Sequence, residues 1–241
     1  MNKIYAEIVA AKREGRKLLA ILLDPDKIQL AHLADLITKI KNAPATHIFI
    51  GGSLLFSDTQ EEIIRELKAV LTVPVLLFPS NASHITNLAD GILFLSLLSG
   101  RNPEYLIGQH VQAAPLLKQT QLEVMATGYL LVESGRQTTV SYMSGTTPIP
   151  KDKPEIAVAT AMAGEMLGNK LIYLEAGSGA ENHVPLAMVK DVSDNIDIPL
   201  IVGGGIRSQK TMEALYQAGA TMLVIGTAFE KDTNFFREAQ V

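Results

Sequence analysis

Eight short apolar runs are spaced along the chain so that each is followed by a stretch able to carry it back toward the next. They cover residues 18–23, 47–50, 75–78, 92–95, 122–126, 171–174, 199–202 and 222–225, and most end in Gly, Ser, Asp or Pro before helical periodicity takes over. Continuous apolar runs this short read as strands buried on both faces, the pattern of a parallel sheet. No linker or shift in composition divides the 241 residues, and a β/α barrel holds roughly 250 residues in one unit. A doubly wound open sheet shows a similar alternation, but eight strands in one undivided chain favour closure. The expected fold is α/β, a single (β/α)8 TIM-type barrel domain spanning 1–241.

The intervening helices are marked by spacing and caps. Leu30, Leu33, Ala34, Ile37 and Ile40 follow the i, i+3, i+4, i+7 rule, and Asp26 with Gln29 forms an expected capping box before them. Asp58 with Glu61 and Thr227 with Glu230 repeat the device. Two spacings depart from an even barrel. Between Phe78 and Ile92 only PSNASHITNLADG is available, so the third crossover is expected to be thin or to lack its helix, leaving one flank uncovered. Between Ala126 and Leu171 there is an excess, in which residues 129–132 and 138–142 are expected to pair as a hairpin across ESGR. Such an insertion after strand five would lie over the catalytic mouth.

Composition narrows the chemistry. The chain has 21 Lys and Arg against 25 Asp and Glu, a formal charge of −4, with no Trp and only 5% aromatic residues. Nucleic-acid binding calls for clustered cations and stacking platforms, so nucleic acid is not an expected partner. With no Cys there is neither a disulfide framework nor thiolate chemistry. The N-terminus MNKIYAEIVAAKREGRK has no apolar leader core, and no run approaches the roughly 18 apolar residues of a membrane span. A soluble, cytoplasmic protein is expected. The cluster Lys12, Arg13, Arg16 and Lys17 follows Ile4, Ile8 and Val9 at helical spacing. It reads as a solvated helix face closing the barrel bottom, with transient membrane-surface contact as the alternative.

Barrel active sites lie at the carboxyl ends of the strands. Those positions here are Asp24, Gly51-Gly52-Ser53, Pro79-Ser80, Ser96, Thr127-Gly128, Glu175 to Gly179, Gly203-Gly204-Gly205 and Gly226-Thr227. Glycines after strands seven and eight, with Gly177-Ser178-Gly179, point to a phosphate held by backbone N–H groups. Tight turns alone are the bland alternative. Glu175 beside such a site would be repelled by the ligand unless it had a task, which makes it the candidate general base; a rim ion pair is the alternative. Asp24, with the hydroxyl of Ser53, is a sparse metal site suited to Mg²⁺, which keeps waters and takes further ligands from phosphates. Asp26 is read as a helix cap only. The five histidines show no ligand spacing, and no Walker A loop, GxGxxG after a first strand or GxSxG elbow occurs.

LLDPDK at the first strand, IGGS at the second, RNPEYLIG after the fourth, TGYLLVESG after the fifth, YLEAGSG at the sixth, VGGGIRS at the seventh and IGTAFE at the eighth together resemble the geranylgeranylglyceryl phosphate synthase family, which includes heptaprenylglyceryl phosphate synthases. The resemblance implies a prenyltransferase that joins a polyprenyl diphosphate, geranylgeranyl diphosphate first among them, to the sn-3 hydroxyl of sn-glycerol 1-phosphate in ether-lipid biosynthesis, releasing diphosphate with Mg²⁺. It also implies that Tyr173, Leu174, Glu175, Ala176, Gly177, Ser178, Gly179, Gly204, Gly205, Gly226 and Thr227 hold glycerol phosphate, that Asp24 and Ser53 position the metal, and that Glu175 deprotonates the hydroxyl. Leu22 stands where one branch of the family has a Lys, so the chain resembles the larger, often oligomeric branch, and a homo-oligomer is implied. A sugar-phosphate isomerase and a thiamine phosphate synthase-like transferase are the rival readings. The isomerase needs two opposed proton-transfer groups, and the fifth strand is expected to end in Thr127-Gly128 without a carboxylate.

Overall fold

The computed structural model describes residues 3–52, 56–231, 235 and 236. Eight parallel strands close on themselves in chain order: β1 Leu18–Leu23, β2 His47–Ile50, β3 Val75–Leu77, β4 Gly91–Leu97, β5 Glu123–Leu131, β6 Leu171–Glu175, β7 Leu200–Gly203 and β8 Met222–Ile225. Closure is made where β8 pairs with β1, from Leu18 opposite Met222 to Ile21 opposite Ile225. Side chains alternate between two cores, as the two-residue strand period requires. Leu18, Ala20, Phe49, Leu76, Leu93, Met125, Tyr173, Ile201 and Met222 fill the barrel. Leu19, Ile21, Leu23, Ile48, Ile172, Leu174 and Val202 face the helical layer instead.

The helices are α1 Lys3–Glu14, α2 Leu33–Lys41, α3 Gln60–Val70, α4 Gln109–Leu117, α5 Thr139–Ser144, α6 Pro154–Met166, α7 Leu186–Asp194, α8 Gln209–Gln217 and α9 Thr227–Lys231. Helix α1 precedes the barrel, and its Ile8 and Ala11 pack into the inner core, closing the bottom as its basic face suggested. The Glu123 carboxylate accepts from the N–H groups of Ile4 and Tyr5 at 2.9 and 2.8 Å, supplying donors at the helix start with an anionic partner. The third crossover has no α-helix: β3 passes through one 3₁₀ turn, Ala82–His84, to β4. No helix among the described residues is long and apolar enough to cross a membrane.

Three local expectations are corrected. Asp26 does not cap α2, because Pro25 opens a 3₁₀ turn that Asp24 caps by accepting from the Asp26 N–H at 3.2 Å. The Asp26 carboxylate reaches 30 residues onward to the N–H groups of Phe56 and Ser57, at 2.9 and 2.8 Å. Helix α3 starts at Gln60 with no side-chain cap, and Glu61 accepts from the Thr86 hydroxyl and pairs with Arg65, each at 2.8 Å. Thr227 opens α9; the side chain of Glu230 lies outside the described residues. The expected hairpin is a helix. Residues 129–131 continue β5, while Thr138 and Ser141 form a capping box that starts α5, and Gly145 ends it at φ +60°. A reciprocal cap satisfies backbone donors locally, which outweighs the strand preference of the Thr-Thr-Val run. The insertion after β5 is real and is tied down by a parallel bridge between Val132 and Ile149.

Candidate active site

The carboxyl ends of the strands surround a cavity of about 900 Å³. Glu175, the last residue of β6, points inward and is 5% exposed. Its Oε1 accepts from the Gly177 N–H at 2.6 Å, which fixes the carboxylate against the loop that follows. Burial raises its pKa, while the nearby Tyr173 hydroxyl and the Gly177 N–H pull it back. The net result is a carboxylate more basic than an exposed one. The Tyr173 hydroxyl lies beside it without a well-aligned hydrogen bond. Tyr129 crosses Tyr173 edge to face at 5.3 Å between ring centroids, and Phe78 closes the group at 5.6 Å from Tyr173. Burial first, then the Glu175 charge, push both tyrosine hydroxyls well up, so both are neutral donors at ordinary pH.

The glycines after β7 leave room that this chemistry requires. A Cβ on Gly204 would overlap Glu175 Oε1 and come within 2.8 Å of the Gly177 N, and one on Gly203 would meet the Tyr173 hydroxyl. Gly204 and Gly205 also stand at φ +83° and +67°, a region that costs an L side chain roughly 1 kcal/mol or more. The run Gly203-Gly204-Gly205 therefore does two jobs: Gly204 and Gly205 present backbone to the cavity, and Gly203 and Gly204 make the hollow in which the acid sits.

Asp24, Tyr173, Glu175, Gly177, Ser178, Gly179, Gly204, Gly205, Gly226 and Thr227 all line the cavity, as their strand-end positions suggested. Leu174 and Ala176 do not: their side chains belong to the outer core, because they alternate with inward-facing Tyr173 and Glu175. Ser53 lies outside the described residues. The fifth strand does not end at Thr127-Gly128. Thr127 is fully buried, with its hydroxyl donating to the Met125 carbonyl at 2.9 Å, and β5 continues to Leu131. Lys27, Tyr129, Arg136 and Arg207 also line the cavity and were not singled out from sequence. Lys27 and Arg207 lie inside motifs whose Asp and Gly residues drew attention first, and Arg136 lies in a stretch read only as a turn.

Asp24 keeps one oxygen on the Asp26 N–H and the other on Lys27 Nζ, at 2.8 Å. Among the described residues no group of three or more His, Cys, Asp or Glu could hold a metal. One carboxylate at a glycine-lined mouth fits Mg²⁺ bound mainly by water and substrate oxygens, not a caged metal.

A second, mostly apolar hollow of about 200 Å³ opens through the helix-free third crossover, between Ala82 and Ile85 on one side and Phe94, Tyr105 and Ala113 on the other. Gly52, Phe78, Tyr129 and Val140 line both hollows. The side groove thus meets the central cavity beside Glu175.

A closed β/α barrel with a glycine-walled, acid-floored mouth at the strand ends and an apolar side groove has the layout of a barrel enzyme. The PcrB family model matches residues 11–240, and the chain belongs to that family. A protein of Flavobacterium johnsoniae named geranylgeranylglyceryl phosphate synthase is 55% identical over 236 residues, covering 98% of this chain and 97% of its own. One of the same name from Chitinophaga pinensis is 47% identical, covering 98% and 94%. The crystal structure of (S)-3-O-geranylgeranylglyceryl phosphate synthase from Thermoplasma acidophilum, in complex with substrate sn-glycerol-1-phosphate, superposes with a TM-score of 0.90 at 34% identity, over 97% of this chain and 94% of that one.

Proposed function

We propose that this chain is a prenyltransferase that joins a polyprenyl diphosphate, geranylgeranyl diphosphate first among them, to the sn-3 hydroxyl of sn-glycerol 1-phosphate. The observation that carries the reading is the placement of buried Glu175 between the glycine loops and the inner end of the apolar groove. The backbone of residues 177–179, 204–205 and 226–227 would hold the acceptor's phosphate, leaving its free hydroxyl against Glu175. The hydroxyl oxygen attacks the allylic C1, the C1–O bond to diphosphate breaks, and the proton passes to Glu175 Oε. Holding both partners in line supplies much of the rate, and the basic carboxylate supplies the proton acceptor. Mg²⁺ at Asp24 would neutralise charge on the departing diphosphate.

The test is incubation of the purified chain with sn-glycerol 1-phosphate and labelled geranylgeranyl diphosphate, with and without Mg²⁺. A lipid-soluble phosphorylated product is expected only when all three are present. No product with any prenyl length would reject the reading, and product in the presence of chelator would remove the metal from it.

The prenyl tail is assigned to the side groove. Ala82 stands in the 3₁₀ turn that replaces the third helix and lines the groove, so Ala82→Phe should take up space the tail needs. Competition among diphosphates of increasing length should shift toward shorter chains in this variant. An unaltered length preference would place the tail elsewhere.

A further inference from the structure

Among the described residues three basic side chains line the central cavity, Lys27, Arg136 and Arg207. Two are engaged by the protein. Arg207 donates to the carbonyls of Ala180 and Glu181, at 2.7 and 2.9 Å, bracing the glycine loop from behind. Lys27 pairs with Asp24. Arg136 has no hydrogen bond or ion pair within the described residues, although it is exposed at the rim of a cavity that holds two carboxylates.

The position of Arg136 is nonetheless set. It sits on the insertion after β5, between the bridge of Val132 to Ile149 and the capping box at Thr138. The Ser134 carbonyl accepts from the Asn182 N–H at 3.3 Å, which ties the insertion to the loop after β6. The carboxylate of Glu181 lies against Gly135, next door. The guanidinium itself lies over Gly179, where a Cβ would come within 2.5 Å of Nη2. A planar, permanently charged fork thus lies over one wall of the glycine cradle.

Both substrates of the proposed reaction are anions, and the cavity already contains Glu175 and Asp24. Backbone N–H groups supply partial charge only, so a phosphate dianion here calls for a full positive charge with matching geometry, which a guanidinium provides. We infer that Arg136 is a specificity-determining residue: it donates to the acceptor's phosphate from the insertion, beside Gly179, and selects a doubly ionised phosphomonoester over an uncharged polyol. This rests on the function proposed above, with the diphosphate left to Asp24 and its metal.

The experiment measures calorimetric binding of sn-glycerol 1-phosphate, inorganic phosphate and glycerol to the full chain, with steady-state kinetics, for wild type, Arg136→Lys and Arg136→Gln. Charge-assisted hydrogen bonds contribute about 1.5–3 kcal/mol, so Arg136→Gln should weaken glycerol phosphate binding and raise its KM roughly 10- to 100-fold. The kcat and the KM for the prenyl diphosphate should stay within a few-fold, and Arg136→Lys should fall between. The second ionisation of a phosphomonoester lies near pH 6, taking about 6 as its pKa. Wild-type binding should therefore tighten as pH rises through that point, and the Gln variant should lose most of this dependence; a merely structural arginine would lower kcat or thermal stability without flattening the profile. Equal acceptor affinity in wild type and variant, or an effect confined to the diphosphate, overturns the inference. Wild-type protein that binds glycerol phosphate but transfers nothing overturns the proposed reaction alone, and the binding comparison still decides the role of Arg136. Wild-type protein that binds no glycerol phosphate overturns both.

Discussion

Glu175→Gln is expected to lower kcat by roughly 10²- to 10⁴-fold, the usual contribution of a positioned general base, while glycerol phosphate binding changes by no more than a few-fold. The amide has the carboxylate's shape and keeps an oxygen for the Gly177 N–H, which now donates to Glu175 Oε1 at 2.6 Å. What it loses is the ability to take a proton. The neighbouring Tyr173 and Tyr129 hydroxyls cannot substitute, because burial, the larger cause of their raised pKa values, persists in the variant and keeps both protonated. In the wild type the rate should fall with acid as Glu175 becomes protonated, and since burial raises its pKa, that limb should lie above the range of an exposed carboxylate. Single-turnover rates across pH, with glycerol phosphate affinity measured separately, check this. Turnover near wild type in the Gln variant would take the base role from Glu175.

The second large effect is expected from Gly205→Ala. The residue stands at φ +67°, and an added Cβ would overlap the Asn182 carbonyl and lie 2.6 Å from the His183 N. These are backbone atoms, so no rotamer change relieves the overlap, and the loops after β6 and β7 would have to part. Strain of this kind costs about 2–4 kcal/mol, which for a chain of this size lowers Tm by roughly 5–15 °C. Glycerol phosphate binding should fall with it. Gly168→Ala is the control: its φ of +93° is equally unsuited to a side chain, but nothing lies within 4 Å of the added atom. That variant should lose only about 1 kcal/mol and keep its binding. Equal melting shifts in the two variants would show that crowding at the site is not what requires glycine.

The barrel was legible because its strands are buried on both faces. The first, second and eighth runs coincide with β1, β2 and β8, where apolar residues stop abruptly at Asp or Gly. The fifth did not, because Thr127 and Gly128 interrupt the apolar run in mid-strand. Thr127 returns its hydroxyl to the Met125 carbonyl and so is buried without betraying it by composition. The insertion was foreseen by its length and misread in form: Thr138 to Val140 look like strand residues, but a cap three residues long decides the conformation. Asp26 was misassigned for the opposite reason. Its partners are 30 residues away at Phe56 and Ser57, and no local pattern reports a contact of that range. Glu175 was found because a strand end, a glycine loop and a charge coincide there. Arg136 was passed over because an arginine in a turn is ordinarily solvated, and only the fold lays it over Gly179.

Among the described residues six of the seven crossovers between successive strands carry an α-helix; between β3 and β4 a single 3₁₀ turn leaves the outside of the sheet accessible. If the hydrocarbon of the donor lies there, the substrate itself takes the place of the omitted helix. A finished lipid can then slide out sideways along its whole length, and the eight-stranded wall never has to part to release it.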